Sequence, residues 1–351
     1  MVLKQKLGHW CGKVGVELKD ILVRHERSFE ELEGKIAVDA FNTLYQFLSI
    51  IRQPDGTPLM DSQGRITSHI SGLFYRTCNL LEKNIVPIFV FDGEPSELKK
   101  KTIAERSAAK IEAEEQRKKA LEEGDTEKAG VLAQRTSRLT KDMVVEAKEL
   151  LSLMGLPWVQ APSEGEAQCS IMAKEGLVRA AASQDYDSLL FGAPILIRNL
   201  TISGRRKLPR RNQYVEVVPE EIILEENLKE LGITREKLVW IGILSGTDFN
   251  EGIYGIGPKK ALKLVKEHKT FDGILTSIKK EMDWKPVEEL FLKTPYKKIP
   301  KEELKTGKPD REKMVSFMQE RDFSVERVEN SIAKAFNQPV DSKQGQLEKW
   351  F

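Results

Sequence analysis

Four short apolar runs in this chain each lead into acidic residues. Ile36-Ala37-Val38 is closed by Asp39, and Val86-Pro87-Ile88-Phe89-Val90-Phe91 by Asp92. Pro157-Trp158-Val159-Gln160 leads to Glu164 and Glu166, and Val178-Arg179-Ala180-Ala181-Ala182-Ser183 leads to Asp185 and Asp187. Brief apolar runs of this kind read as buried strands, and helix-like stretches at 67–83 and 140–154 lie among them. Strands that alternate with helices predict an α/β fold with a mostly parallel central sheet flanked by helices.

In such a sheet ligands bind beyond the carboxyl ends of the strands, where these six acids would gather. Asp248, in Leu244-Ser245-Gly246-Thr247-Asp248, can add a seventh from a helix–loop. Carboxylates so crowded repel one another unless cations neutralise them. No His or Cys joins the set, and oxygen-only ligands favour a hard ion, Mg2+ or Mn2+, over Zn2+. Glu164 and Glu166 are two apart, as are Asp185 and Asp187, a spacing that does not share a helix face. Both pairs are therefore expected at strand ends or helix entries. Any one of these acids taken singly is more simply a helix cap or first-turn charge. For the whole set that account weakens. A cluster of this kind suits phosphodiester hydrolysis with two ions about 3.5–4 Å apart, one activating the attacking water and one stabilising the leaving oxygen.

The 351 residues suffice for one large domain or two modest ones. Charged residues make up 31% of the chain yet leave a formal net charge of only +2, so charge alone identifies no partner. Cys11, Cys78 and Cys169 sit at no metal-ligand spacing and read as reduced thiols of an intracellular protein. No apolar run approaches a membrane span, and the N-terminus lacks the apolar core of a secretory signal.

Residues 97–139 are dominated by Ala, Glu, Lys and Arg and show no strand pattern. They read as a helical insertion with few apolar anchors, and a plain solvated helix accounts for the composition equally well. Residues 219–290 read as helical, 291–311 as loop, and 337–343 as a polar linker. Within the helical region, Gly252-Ile253-Tyr254-Gly255-Ile256-Gly257-Pro258-Lys259-Lys260-Ala261 reads as a tight turn opening a helix. Its glycines would let backbone N–H groups approach a phosphate, and Pro258 suits a first helical turn. A Gly-rich helix start without any ligand remains open.

Several segments together resemble the structure-specific 5′ nucleases, most closely flap endonucleases of archaeal type. They are Val38-Asp39-Ala40-Phe41-Asn42, Thr67-Ser68-His69 through Arg76-Thr77, Phe91-Asp92-Gly93, Pro162 through Gln168, Ser183 through Asp187, Gly246-Thr247-Asp248 and Gly255 through Lys259. They occur in one order over about residues 15–351. The resemblance implies that Asp39, Asp92, Glu164 and Glu166 hold one Mg2+ and that Asp185, Asp187 and Asp248 hold a second, with Mn2+ able to substitute. It implies that Lys99 and Arg106, at the base of a helical arch, face the scissile phosphate. Tyr45 matches a ring that stacks on a base near the cut, although a core tyrosine is an equal account of it. Thr67 and Arg76 match positions that hold a short 3′ flap, with helix packing as the alternative. Gly255, Gly257, Lys259 and Lys260 fall in a helix–hairpin–helix-type element that grips duplex backbone and can bind K+ through carbonyls.

The chain ends Gln344-Gly345-Gln346-Leu347-Glu348-Lys349-Trp350-Phe351. This pattern resembles the peptide by which replication proteins bind a sliding clamp of the proliferating cell nuclear antigen type. Gln344, Leu347, Trp350 and Phe351 are the expected contacts. The implied organisation is an N-terminal extension at 1–14, a nuclease domain at 15–343 with its arch at 97–139, and a clamp peptide at 344–351. The extension departs from the family, whose members usually start near the glycine matched by Gly15. The implied activity is 5′ flap cleavage with 5′–3′ exonuclease action in lagging-strand replication and base excision repair. The expected partners are branched DNA and the clamp, with no membrane, for a monomer in the archaeal cytoplasm (or the nucleus of a eukaryote). A junction-cutting or excision-repair nuclease, and a non-catalytic branched-DNA scaffold on the clamp, are the competing readings.

Overall fold

The computed structural model describes residues 16–53, 56–202, 204–207 and 214–336. The expected extension at 1–14 and the clamp peptide at 344–351 therefore lie outside the described residues. A short strand β1 (His25–Glu26) precedes β2 (Gly34–Asp39), which runs directly into helix α1 (Ala40–Ile50). Helix α2 (Ser68–Glu82) leads to β3 (Ile85–Phe91). Helices α3 (Lys100–Glu122) and α4 (Thr126–Arg135) pack on each other before α5 (Lys141–Leu153) leads into β4 (Trp158–Gln160). Next come α6 (Gly165–Lys174), β5 (Ala180–Ala182), α7 (Asp187–Leu190) and β6 (Ile195–Arg198). Strands β7 (Gly204–Lys207) and β8 (Tyr214–Val217) form a separate antiparallel ribbon. After β9 (Glu220–Ile223) the described chain is helical: α8 (Leu224–Leu231), α9 (Arg235–Ser245), α10 (Pro258–Glu267), α11 (Phe271–Ser277) and α12 (Lys285–Leu292). Helices α13 (Arg311–Gln319) and α14 (Val325–Phe336) complete it.

The main sheet has seven strands in the order β1-β9-β6-β5-β2-β3-β4. Strands β6, β5, β2, β3 and β4 are parallel, whereas β9 is antiparallel to β6 and β1 to β9. The parallel centre is as the apolar runs predict, and the antiparallel edge is an addition to it. Part of that addition corrects the helical reading of 219–290, whose first residues are β9. The acidic pair Glu220-Glu221 resembles a helix start, yet Ile222 is buried and Glu221 is tied to Arg27 and Arg179. Sheet pairing overrides the local preference there.

Both faces of the central strands are covered. In β3, Phe89 and Phe91 pack into the cluster that includes Phe74 and Leu150, while Ile88 and Val90 pack into the one with Met172. That period of two, with both faces apolar, explains why the strands read as continuous apolar runs rather than alternating ones.

The insertion is helical, as its composition predicts. Among the described residues of α3 only Ala113 and Ala120 are buried, and they form a small cluster with Ala129 and Leu132 of α4. The two helices thus stabilise each other through a minor core of their own, apart from the main one.

Candidate active site

Strands β5, β2, β3 and β4 are neighbours and point the same way. Their carboxyl ends therefore deliver the acids to one edge. Asp39 ends β2 and caps α1, its Oδ1 accepting from the Asn42 N–H at 2.9 Å. Asp92 follows β3, and its Oδ1 accepts from the Gly165 N–H at 2.7 Å. Glu164 is the cap residue of α6 and Glu166 lies in its first turn. Asp185 sits in the turn after β5, and Asp187 opens α7. Asp248 follows α9 across a loop. Both close pairs of acids lie at helix entries, where the backbone changes direction and two residues at that spacing can be aimed together.

Glycine makes one of these approaches possible. A Cβ on Gly165 would stand 2.5 Å from Asp92 Oδ1, closer than any ordinary contact. Only the bare backbone can bring its N–H to that carboxylate.

The acids perturb one another strongly. Burial, then the charge of Asp92, raises the Asp39 carboxyl well above its ordinary range. Burial raises Asp92 to about 6, with Lys99 opposing and Glu164 adding to the rise. Burial and Asp248 raise Asp185 to about 6 and Asp187 to about 8. Glu166 is raised well above the ordinary range by burial and then by the charges of Asp185, Asp187 and Asp39. All seven sequence-predicted acids are thus brought into one electrostatic neighbourhood.

Two basic side chains reach in from the foot of the arch. Lys99 pairs with Glu164 and lies 3.9 Å from Asp248 Oδ2, while Arg106 pairs with Asp248 Oδ1. Burial disfavours the Lys99 ammonium, but Glu164 and Asp92 outweigh it and hold the group above its usual value. Among the described residues no three acid, His or Cys side chains are already closed into a metal cage. The donor set nonetheless fits hard cations. It is all oxygen, Asp39, Glu164, Asp187 and Asp248 are buried while Asp92, Glu166 and Asp185 are partly so, and Glu164 Oε1 is buried with no hydrogen-bond partner.

Other predicted residues lie on separate elements. Tyr45, on α1, has Lys110 of α3 over its ring at 4.6 Å from the centroid. Thr67 is buried at the start of α2, its N–H donating to Leu59 O at 2.8 Å, and Arg76 is half-buried further along that helix. Gly255 has a φ of +79°, Gly257 caps α10, and Pro258 is in its first turn. Lys259 and Lys260 follow on α10, and the Lys259 ammonium lies 3.7 Å from Asp20.

The structure adds supports that the sequence reading missed. The Val16 N–H donates to Asp187 Oδ1 at 2.8 Å. Ser183 donates to Glu166 Oε1 and accepts from the Asp185 N–H. The Gln160 amide donates to Asp92 O at 2.6 Å, and its oxygen accepts from Lys148 at 2.7 Å. Ser183 and Gln160 stand inside strand runs, and nothing in one sequence separates a polar strand residue that holds a ligand from one that faces solvent.

Comparison with known proteins gives the family of the chain. Residues 16–113 match the XPG N-terminal domain and residues 155–248 the XPG I-region. Flap endonuclease 1 of Thermococcus onnurineus is 54% identical over 342 residues, which is 96% of this chain and 99% of that protein. The solved structure of flap endonuclease-1 from Methanococcus jannaschii is 42% identical with a TM-score of 0.70, covering 92% of this chain and 98% of that one. The catalytic core of Rad2 in complex with DNA substrate is 26% identical with a TM-score of 0.65, covering 89% and 96%. With the two matched regions together holding all seven acids, and a relative 54% identical over 96% of its length, the chain belongs to the flap endonuclease family.

Proposed function

We propose that this chain hydrolyses the phosphodiester backbone of branched DNA at 5′ flaps, with 5′–3′ exonuclease action, using two Mg2+ ions held by the seven acids. The convergence of acids from four adjacent strand ends carries this reading. Strands about 4.8 Å apart spread those ends over roughly 14 Å, more than one small ion can bridge. Asp39, Asp92, Glu164 and Glu166 would hold one ion and Asp185, Asp187 and Asp248 the other, and the charge of Glu166 is felt by acids of both groups. When bound, the ions supply an activated water and stabilise the leaving oxygen. Lys99 and Arg106, which here pair with Glu164 and Asp248, would offset the charge that develops on the phosphate. Tyr45 offers an aromatic face beside the arch to a base that must unstack before cleavage.

Residues 97–139 would form the arch over the single strand. The turn before α10 would grip duplex backbone through Gly255, Gly257, Lys259 and Lys260, with K+ at its carbonyls. Thr67 and Arg76 would contact a 3′ flap. The terminal peptide with Gln344, Leu347, Trp350 and Phe351 would bind a sliding clamp. Among the described residues no helix is long and apolar enough to cross a membrane.

Labelled flap, bubble and four-way junction DNAs, each with Mg2+ or EDTA, test the reading. Mg2+-dependent cleavage of the flap in preference to the other two supports it. Binding without products would make the chain a scaffold, and preferred cutting of junctions or bubbles would place it with the junction or excision-repair nucleases.

A further inference from the structure

Asn42 touches both groups of acids. Its backbone N–H donates to Asp39 Oδ1 at 2.9 Å, and its side-chain Nδ2 donates to Asp185 Oδ2 at 2.8 Å. The two acids lie at the ends of neighbouring strands, β2 and β5. The amide has only one productive orientation. A carboxylate accepts and cannot donate, so Nδ2 must face Asp185. Gln46, one helical turn further along α1, enforces this by donating from Nε2 to Asn42 Oδ1 at 2.6 Å. Thr201, buried after β6, donates in turn to Gln46 Oε1 at 3.5 Å. The polar side chains thus form one chain of donors that ends on Asp185.

We infer that Asn42 is a positioning residue that sets Asp185 relative to Asp39, and so fixes the spacing of the two metal groups, with Gln46 as the residue that orients it. This rests on the two-ion reading given above. Asp185 is pressed by burial and by the charge of Asp248, and no helix cap holds it as one holds Asp39. A fixed donor at 2.8 Å aims its carboxylate at the site before any ion arrives. Groups that orient a ligand in this way typically change metal affinity or activity by about 10–100-fold when removed.

The test uses the full chain and Mn2+, counted by its magnetic resonance signal in the absence of DNA, together with single-turnover and steady-state cleavage of a flap. In Asn42→Leu the backbone N–H to Asp39 persists, while the donor to Asp185 is lost together with the acceptor for Gln46. One of two Mn2+ sites should weaken by about 10–100-fold while the other holds its affinity, and kcat should fall over the same range with KM changed less than about threefold. Gln46→Leu should weaken the same Mn2+ site by a smaller factor, and the double variant should match Asn42→Leu, because both act through one amide. Gln46→Leu also serves if Asn42→Leu does not fold. Equal weakening of both sites, unchanged Mn2+ affinity, or a loss confined to KM would overturn the inference. Wild-type protein that binds no Mn2+ would instead overturn the two-ion reading itself.

Discussion

Lys99 Nζ lies 3.9 Å from Asp248 Oδ2 while paired with Glu164, so one residue at the foot of the arch is bound to acids from two distant parts of the chain. Burial keeps water from screening this charge, and its partners hold the proton on. Lys99→Ala should therefore slow single-turnover flap cleavage by about 10²–10³-fold, as expected for loss of a cation at the reacting phosphate. Flap affinity should stay within about threefold. A variant that loses affinity and keeps its rate would remove Lys99 from the chemistry.

Asp185→Ala should reduce turnover to the limit of detection while leaving most DNA binding intact, because the duplex grip is assigned to the turn before α10. Gel-shift titration beside a cleavage assay distinguishes the two. Turnover at the wild-type level would exclude Asp185 from the ligand set.

The raised carboxyls make a stability prediction with a definite sign. In an unfolded chain Asp92, Asp185 and Asp187 take the ordinary value of 3.8, whereas in the fold they stand at about 6, about 6 and about 8. Between those limits the metal-free fold binds more protons than the unfolded chain, so its stability falls as pH rises from about 4 to about 8. Bound cations reverse the penalty by favouring the ionised acids. Thermal unfolding in EDTA should show a higher Tm near about pH 5.5 than near about pH 8, and Mg2+ should raise Tm more at the higher pH. An Mg2+ increment that is equal at both would contradict the assignment.

Gly165→Ala places a methyl group 2.5 Å from Asp92 Oδ1. The strain should cost about 1–3 kcal/mol, read by denaturant unfolding. It should also weaken Mn2+ binding, because the Asp92 carboxylate must move off its backbone donor. Unchanged stability and affinity would mean that the α6 entry shifts freely.

Deleting residues 344–351 should abolish stimulation by a sliding clamp and leave clamp-independent cutting as it was. Equal stimulation of the shortened chain would reject the terminal peptide as the contact.

The sequence by itself determined the parallel centre of the sheet and the gathering of acids at its edge. Each needs only a local signal, an apolar run followed by a carboxylate, and strands covered on both faces by helices leave that signal intact at Asp39, Asp92, Glu164 and Asp185. Composition was enough for α3 and α4, since helix preference acts within a few residues. Tertiary structure alone decided that β9 joins the sheet, because the pairing of Ile222 with Leu196 lies far beyond any local window. It alone decided which uncharged groups hold the acids. The Val16 N–H on Asp187, Ser183 on Glu166 and Asn42 across β2 and β5 are ordinary residues in a linear reading, and they acquire a role only when folding brings a donor within hydrogen-bond reach of a crowded carboxylate.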